Sequence, residues 1–238
     1  MNVDNFSFIT SLDNINLNQK SLIVTLNAHS YRLMQLDDDF NRSIIGSNYI
    51  LADGIAMVHF LKTQGMDVPK ISGSELFFYQ MERMNKAAGK VFFLGSTELI
   101  LSNIIRHAKL EFPHVQVEVY SPPFKDKFTE LDNQKMIKAI NNFAPDVLFI
   151  GMTAPKQEKW AYEHFHQLNA THICCIGAVF GFYAGIIKRP PKWMINLGLE
   201  WLGRLIREPK RMWKRYLISS PVIYLDMIKL KLKYLLCS

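Results

Sequence analysis

Six short apolar runs, most of them leading into a stretch of helical periodicity, constrain this chain more than anything else in its 238 residues. They lie at 21–26, 48–53, 90–94, 115–120, 146–150 and 171–176. Most are rich in β-branched residues and near-continuous rather than alternating, the pattern of strands buried on both faces of a parallel sheet. Helices are expected at about 28–43, 55–61, 73–88, 98–111 and 127–142, with another opening near 156. This alternation predicts an α/β fold, a Rossmann-like and mostly parallel sheet sandwiched by helices. The polar, Asn-rich stretch 1–20 is expected to be a peripheral lead-in.

Open α/β sheets bind ligands beyond the carboxyl ends of their strands, so the residues at those ends carry the functional argument. Run 48–53 ends in Asp53 beside Gly54. Asp53 is either a helix N-cap or a general base, and the residues alone leave both open. Thr25 and Asn27 put two small polar side chains at a neighbouring end. Gly95-Ser96-Thr97 is a tight turn into a helix, which turns backbone N–H groups outward. It is neither GxGxxG nor a Walker A loop. After 146–150 come Gly151 and then Pro155, expected at the first helical position, with Lys156, Gln157 and Glu158 in the first turn. Asp37, Asp38 and Asp39 point in different directions on a helix and are expected on a solvated face.

The formal net charge of +7 favours an anionic partner, and it is concentrated late in the chain. Residues 188–215 hold nine basic residues against two acidic ones. Arg204, Arg207, Arg211 and Arg215 recur at helical spacing, although Pro209 can break the helix between them. Such a row suits phosphate or diphosphate; the alternative is a solvated basic face. Beyond it, 217–236 is apolar but interrupted by Lys229, Lys231 and Lys233, which fits a helix lying in a membrane interface better than one spanning it. A helix packed on the core or on a second copy in a homo-oligomer is the other reading. Two units are expected: an α/β core over 1–187 and a basic, apolar helical appendage over 188–238.

Three cysteines, two of them adjacent, argue for a reducing compartment and against structural zinc. No signal peptide and no run of about 18 uncharged apolar residues stands out, so a cytoplasmic place is the default. His164 and His166 point apart, no Cys–His spacing fits a metal, and no nucleophile elbow is present. Nucleic acid is a poor partner, because the basic run ends in an apolar tail rather than in aromatics spread over a sheet. A nucleotide-type ligand at the core together with a lipid-anchored phosphate ligand at the tail would account for both halves.

The motifs resemble those of the WecG/TagA/CpsF glycosyltransferases of bacterial cell envelopes. The resemblance rests on Thr25-Leu-Asn27, Ala52-Asp53-Gly54, Phe92-Phe-Leu-Gly95, and Gly151 through Pro155-Lys-Gln-Glu158 to Trp160. It continues through Gly177-Ala-Val-Phe180, Glu200-Trp201-Leu-Gly-Arg204 and Glu208-Pro209-Lys-Arg211. It implies inverting, metal-independent transfer of a sugar, of N-acetylmannosamine or uronic acid type, from a UDP-sugar to a sugar on undecaprenyl diphosphate, with no cofactor. Asp53 would then be the base, with Thr25 and Asn27 beside it. Gly95, Gly151, Pro155, Lys156, Gln157 and Glu158 would border the donor. Arg204, Arg207, Arg211 and Arg215 would face phosphate or acceptor, and the appendage would dock peripherally on the inner face of the plasma membrane.

The chain departs from the family pattern at Gly181, where an Asp near the nucleotide is usual, and at Arg189-Pro190-Pro191, where Arg-Ala-Pro is usual. The first puts the donor's identity in question. Two rivals remain at this stage: a nicotinamide-dependent α/β oxidoreductase, disfavoured by the missing GxGxxG, and a non-catalytic membrane adaptor with Asp53 as a plain cap.

Overall fold

The computed structural model describes residues 6–187, Met194 and 200–237; for Glu200, Arg204, Arg211, Lys231 and 233–237 it describes the backbone alone. Six strands form one sheet: β1 (Ser21–Leu26), β2 (Tyr49–Ala52), β3 (Lys90–Gly95), β4 (Gln116–Tyr120), β5 (Val147–Gly151) and β6 (His172–Cys175). Their order is β2-β1-β6-β5-β3-β4, and every pairing is parallel.

Side chains of a strand alternate between faces. Leu22, Val24 and Leu26 therefore join one apolar layer and Ile23 the other. On the first face lie α1 (Ala28–Met34), α2 (Asp38–Ile45), α3 (Ile55–Thr63), α6 (Glu130–Phe143) and α7 (Lys156–Glu163). On the second lie α4 (Gly73–Ala87), α5 (Glu98–Glu111) and α8 (Val179–Tyr183). Taken across the sheet, β1, β6, β5, β3 and β4 are followed by helices on alternate faces. Each neighbouring pair thus parts its connections and opens a crevice at the carboxyl edge.

Two expectations need correction. The helix expected at 28–43 is two helices, because Asp37 caps the second: its Oδ1 accepts from Phe40 N at 2.9 Å. Asp37 also accepts from Lys159 Nζ at 2.9 Å, tying α2 to α7, so Asp38 and Asp39 alone lie on the solvated side. The lead-in is only partly peripheral. Phe6, Ile9 and Ile15 are buried. Ile50 N donates to Ser7 O at 2.9 Å, which covers the outer edge of β2.

The C-terminal part comprises α9 (Glu200–Arg207), α10 (Pro209–Trp213), a π-helical stretch at Lys214–Ser219, and α11 (Ser220–Cys237). Pro209 opens α10, where its missing N–H is harmless. Helix α11 packs on α1 and α3 and buries Ile223 completely. Asp226 Oδ2 accepts from Tyr31 Oη at 2.9 Å and from Gln35 Nε2 at 2.8 Å, pinning α11 to α1. Among the described residues no helix is long and apolar enough to cross a membrane. Lys188, Arg189, Pro190, Pro191 and Lys192 lie outside the described residues.

Candidate active site

A cleft of about 2340 Å³ runs along the carboxyl edge of the sheet and is roofed on one side by the C-terminal helices. Single ligand pockets usually measure about 300–1,000 Å³, so this one has room for two substrates.

Thr25, near the end of β1, lines the cleft and pairs in register with Leu51 of β2. Asn27 caps α1, its Oδ1 accepting from His29 N and Ser30 N at 3.1 Å each. That leaves the amide NH₂ as the group Asn27 can offer a ligand. Asp53 follows β2, anchored by its own N–H to Leu26 O at 2.9 Å. The cap of α3 is Gly54, with φ +94°, and α3 has no side-chain cap. Asp53 is therefore not an N-cap; its half-buried side chain lines the cleft.

On the far side, Gly95 faces Gly151 across β3 and β5. Gly95 is buried and does not line the cleft, whose wall there is Ser96 and Thr97. Ser96 has φ +64°, an unusual conformation for a residue with a side chain, and its carbonyl accepts from Ser121 Oγ at 2.9 Å. Gly151 does line the cleft, and a Cβ there would lie 2.4 Å from the Phe180 ring. Pro155 is the N-cap of α7 rather than its first helical residue. Lys156 Nζ sits 3.6 Å from the centre of the Phe128 ring and donates to Lys125 O. Gln157 is buried as a bracket: Oε1 accepts from Met152 N at 3.2 Å, and Nε2 donates to Glu158 Oε1 at 2.7 Å.

Electrostatics set two groups apart. Burial pushes the Glu158 carboxyl up to about 7, against the pull of the Gln157 hydrogen bond, its own N–H and the Arg215 guanidinium. Burial, then Arg215, pushes His29 down to about 4, so His29 is neutral at physiological pH. Arg215 enters from the π-helical stretch with Tyr216 and Leu217, and all three line the cleft. A π-helical stretch of this kind often marks a functional site. Arg207 is exposed and outside the lining; the side chains of Arg204 and Arg211 lie outside the described residues. Among the described residues, no three His, Cys, Asp or Glu side chains are grouped to hold a metal ion.

His29 was missed in the sequence, although a residue just past the cap of the helix after β1 has to lie near the cleft. The π-helical stretch had no such signal, since Arg215 differs from the other arginines only in its local winding.

The profile of the glycosyl transferase WecG/TagA/CpsF family matches residues 1–235. An N-acetylglucosaminyldiphosphoundecaprenol N-acetyl-beta-D-mannosaminyltransferase of Bacillus subtilis (strain 168) is 30% identical over 226 residues, 94% of this chain and 86% of that one. A protein of the same name from Bacillus spizizenii (strain ATCC 23059 / NRRL B-14472 / W23) is 28% identical over 94% of this chain and 85% of its own. Another, from Staphylococcus aureus (strain MW2), is 28% identical over 97% of this chain and 91% of its own. These matches displace the oxidoreductase and the adaptor. One family accounts for nearly the whole chain, and this protein is a glycosyltransferase belonging to the WecG/TagA/CpsF family.

Proposed function

We propose that this enzyme transfers a sugar from a UDP-sugar to a saccharide carried on undecaprenyl diphosphate, inverting the anomeric carbon without a metal. The observation that carries the reading is the cleft: Asp53 lines it from the core and Arg215 from the C-terminal helices. Asp53 takes the proton from the acceptor hydroxyl as that oxygen attacks. Cationic side chains, Arg215 first among them, balance the charge that develops on the departing UDP. The relatives' names support the acceptor, and N-acetylmannosamine heads the list of donor sugars to try. Gly181 bears on the donor. A Cβ there would lie 2.5 Å from Ile187 Cδ1, so an apolar side chain fills the space that the family commonly gives to Asp.

The decisive assay offers a panel of UDP-sugars with a short-chain lipid diphosphate bearing GlcNAc. UDP release that requires both substrates is the expected result. No release with any pair would sink the reading.

We also propose a working division at 187/188, with the second part docking on the inner face of the plasma membrane. Trp213, Ile218, Ile228 and Leu232 are exposed outside the cleft lining, with Lys210, Lys214 and Lys229 also exposed on these helices. An apolar surface set among cations suits anionic lipid. Each cation near such a surface contributes about 1 kcal/mol. Changing the three lysines to Gln should therefore weaken co-sedimentation with phosphatidylglycerol vesicles on the order of 100-fold. Equal sedimentation of both proteins, or a stable dimer that ignores vesicles, would instead make this face a subunit contact.

A further inference from the structure

Six buried side-chain polar atoms lack a hydrogen-bond partner among the described residues, and two of them belong to residues that line the cleft: Oε2 of Glu158 and Nδ1 of His29. Glu158 is the better defined, at 1% exposure. The Gln157 bracket fixes Oε1 and leaves Oε2 with nothing to accept. An unmet buried polar atom costs about 1–3 kcal/mol, and more when it is charged. A ligand in the cleft would offset that cost.

The chemistry of Oε2 narrows the ligand. A diphosphate carries no donor and is repelled by a carboxylate, so Glu158 must face a neutral, donor-bearing part of the substrate. Its position narrows it further. Asp53 follows β2, whereas Glu158 lies on α7, which packs over β6 and β1, one to two strand spacings away, or about 5–10 Å at the level of the sheet. That is within the span of one hexose from Asp53, which under the proposed reaction stands beside the reacting carbon. The charged and titratable neighbours are Arg215 from the C-terminal stretch, Cys175 beneath on β6, and His29 on α1 alongside Arg215.

We propose that Glu158 Oε2 accepts a hydrogen bond from a ring hydroxyl of the transferred sugar, making Glu158 a residue that holds the hexose and not the nucleotide. The inference rests on the UDP-sugar reading above. It also links binding to a proton. A hydroxyl donating to Oε2 favours the ionised carboxyl, whose affinity for a proton burial otherwise raises. Sugar binding near pH 7 then releases a fraction of a proton, and binding at pH 9 releases none.

The test is titration calorimetry on the full chain with UDP, UDP-N-acetylmannosamine, UDP-N-acetylglucosamine and UDP-glucose, in two buffers of different ionisation enthalpy. Glu158→Gln keeps an oxygen for Gln157 and replaces only Oε2. Its affinity for UDP should stay within about 2-fold, while its affinity for the tightest UDP-sugar falls about 10–100-fold, the range for a hydrogen bond to a charged group. Its proton release should vanish. Unchanged UDP-sugar affinity, or equal weakening of UDP and UDP-sugar, would overturn the inference and leave the UDP-sugar reading intact. If wild type binds none of the nucleotide sugars, the reading itself fails. Should the variant not fold, wild type decides: proton release with the UDP-sugar at pH 7 that disappears at pH 9 supports the contact, and no release at pH 7 overturns it. UDP is left out of this comparison because its own terminal phosphate titrates at about pH 6.

Discussion

Asp53→Asn is expected to fold normally and to lose about 10²–10⁴-fold in transfer rate, the usual worth of a positioned general base. Asn has the same shape and keeps the backbone bond to Leu26 that seats the residue. Helix α3 does not depend on this side chain either, because its cap is Gly54. The loss should fall on kcat with little change in KM, because proton removal is a transition-state event. A melting temperature close to wild type separates lost chemistry from lost structure. Turnover within tenfold of wild type would remove Asp53 from the mechanism.

Gly95→Ala should lower stability substantially. At φ +119° a side chain is strained, and the new Cβ would stand 2.7 Å from the Gly151 carbonyl oxygen. That neighbour is backbone held in the β3–β5 pairing, so it cannot rotate away. Strain and overpacking each cost about 1–3 kcal/mol. Together they amount to about 2–6 kcal/mol, or a melting point lower by about 4–24 °C for a chain of this size. Gly54→Ala is the control. Its φ is +94°, but nothing lies within 4 Å of the added carbon, so only the strain applies. Equal melting points for the two variants would mean that the contact between Gly95 and Gly151 is unimportant.

The strands were legible because runs such as 147–150 are apolar on both faces, and only a parallel sheet covered by two helical layers buries both. Helix α5 was legible to its ends. The division at Asp37 was not, because an Asp inside a long helical period can sit on the surface or begin a new helix, and the period continues through it. Residues 1–20 misled for the opposite reason: Phe6, Ile9 and Ile15 are too sparse to show a period, yet they bury. At the site, strand ends led to Asp53, Thr25 and Asn27. The burial of Glu158 was hidden. An acid in the first turn of a helix ordinarily meets solvent and the dipole, and what encloses this one includes residues far along the chain. Helix α11 resisted for a further reason. It is apolar on both sides, so periodicity cannot say which side docks. The turn of Asp226 towards Tyr31 and Gln35 settles that, and it is a tertiary fact.

The alternation of helices across the sheet bears on the order of events. A fold with a single crevice offers one socket, which invites a first substrate to leave its group behind before a second arrives. Here successive crevices merge into a trough along the strand ends. Under the proposed reaction, donor and acceptor lie side by side in that trough. The acceptor approaches the anomeric carbon from the Asp53 side while UDP departs towards the β5–β3 side. Displacement then takes place in one step within a ternary complex. Under that proposal no enzyme-bound sugar intervenes, and the side-by-side arrangement accommodates the inversion it includes.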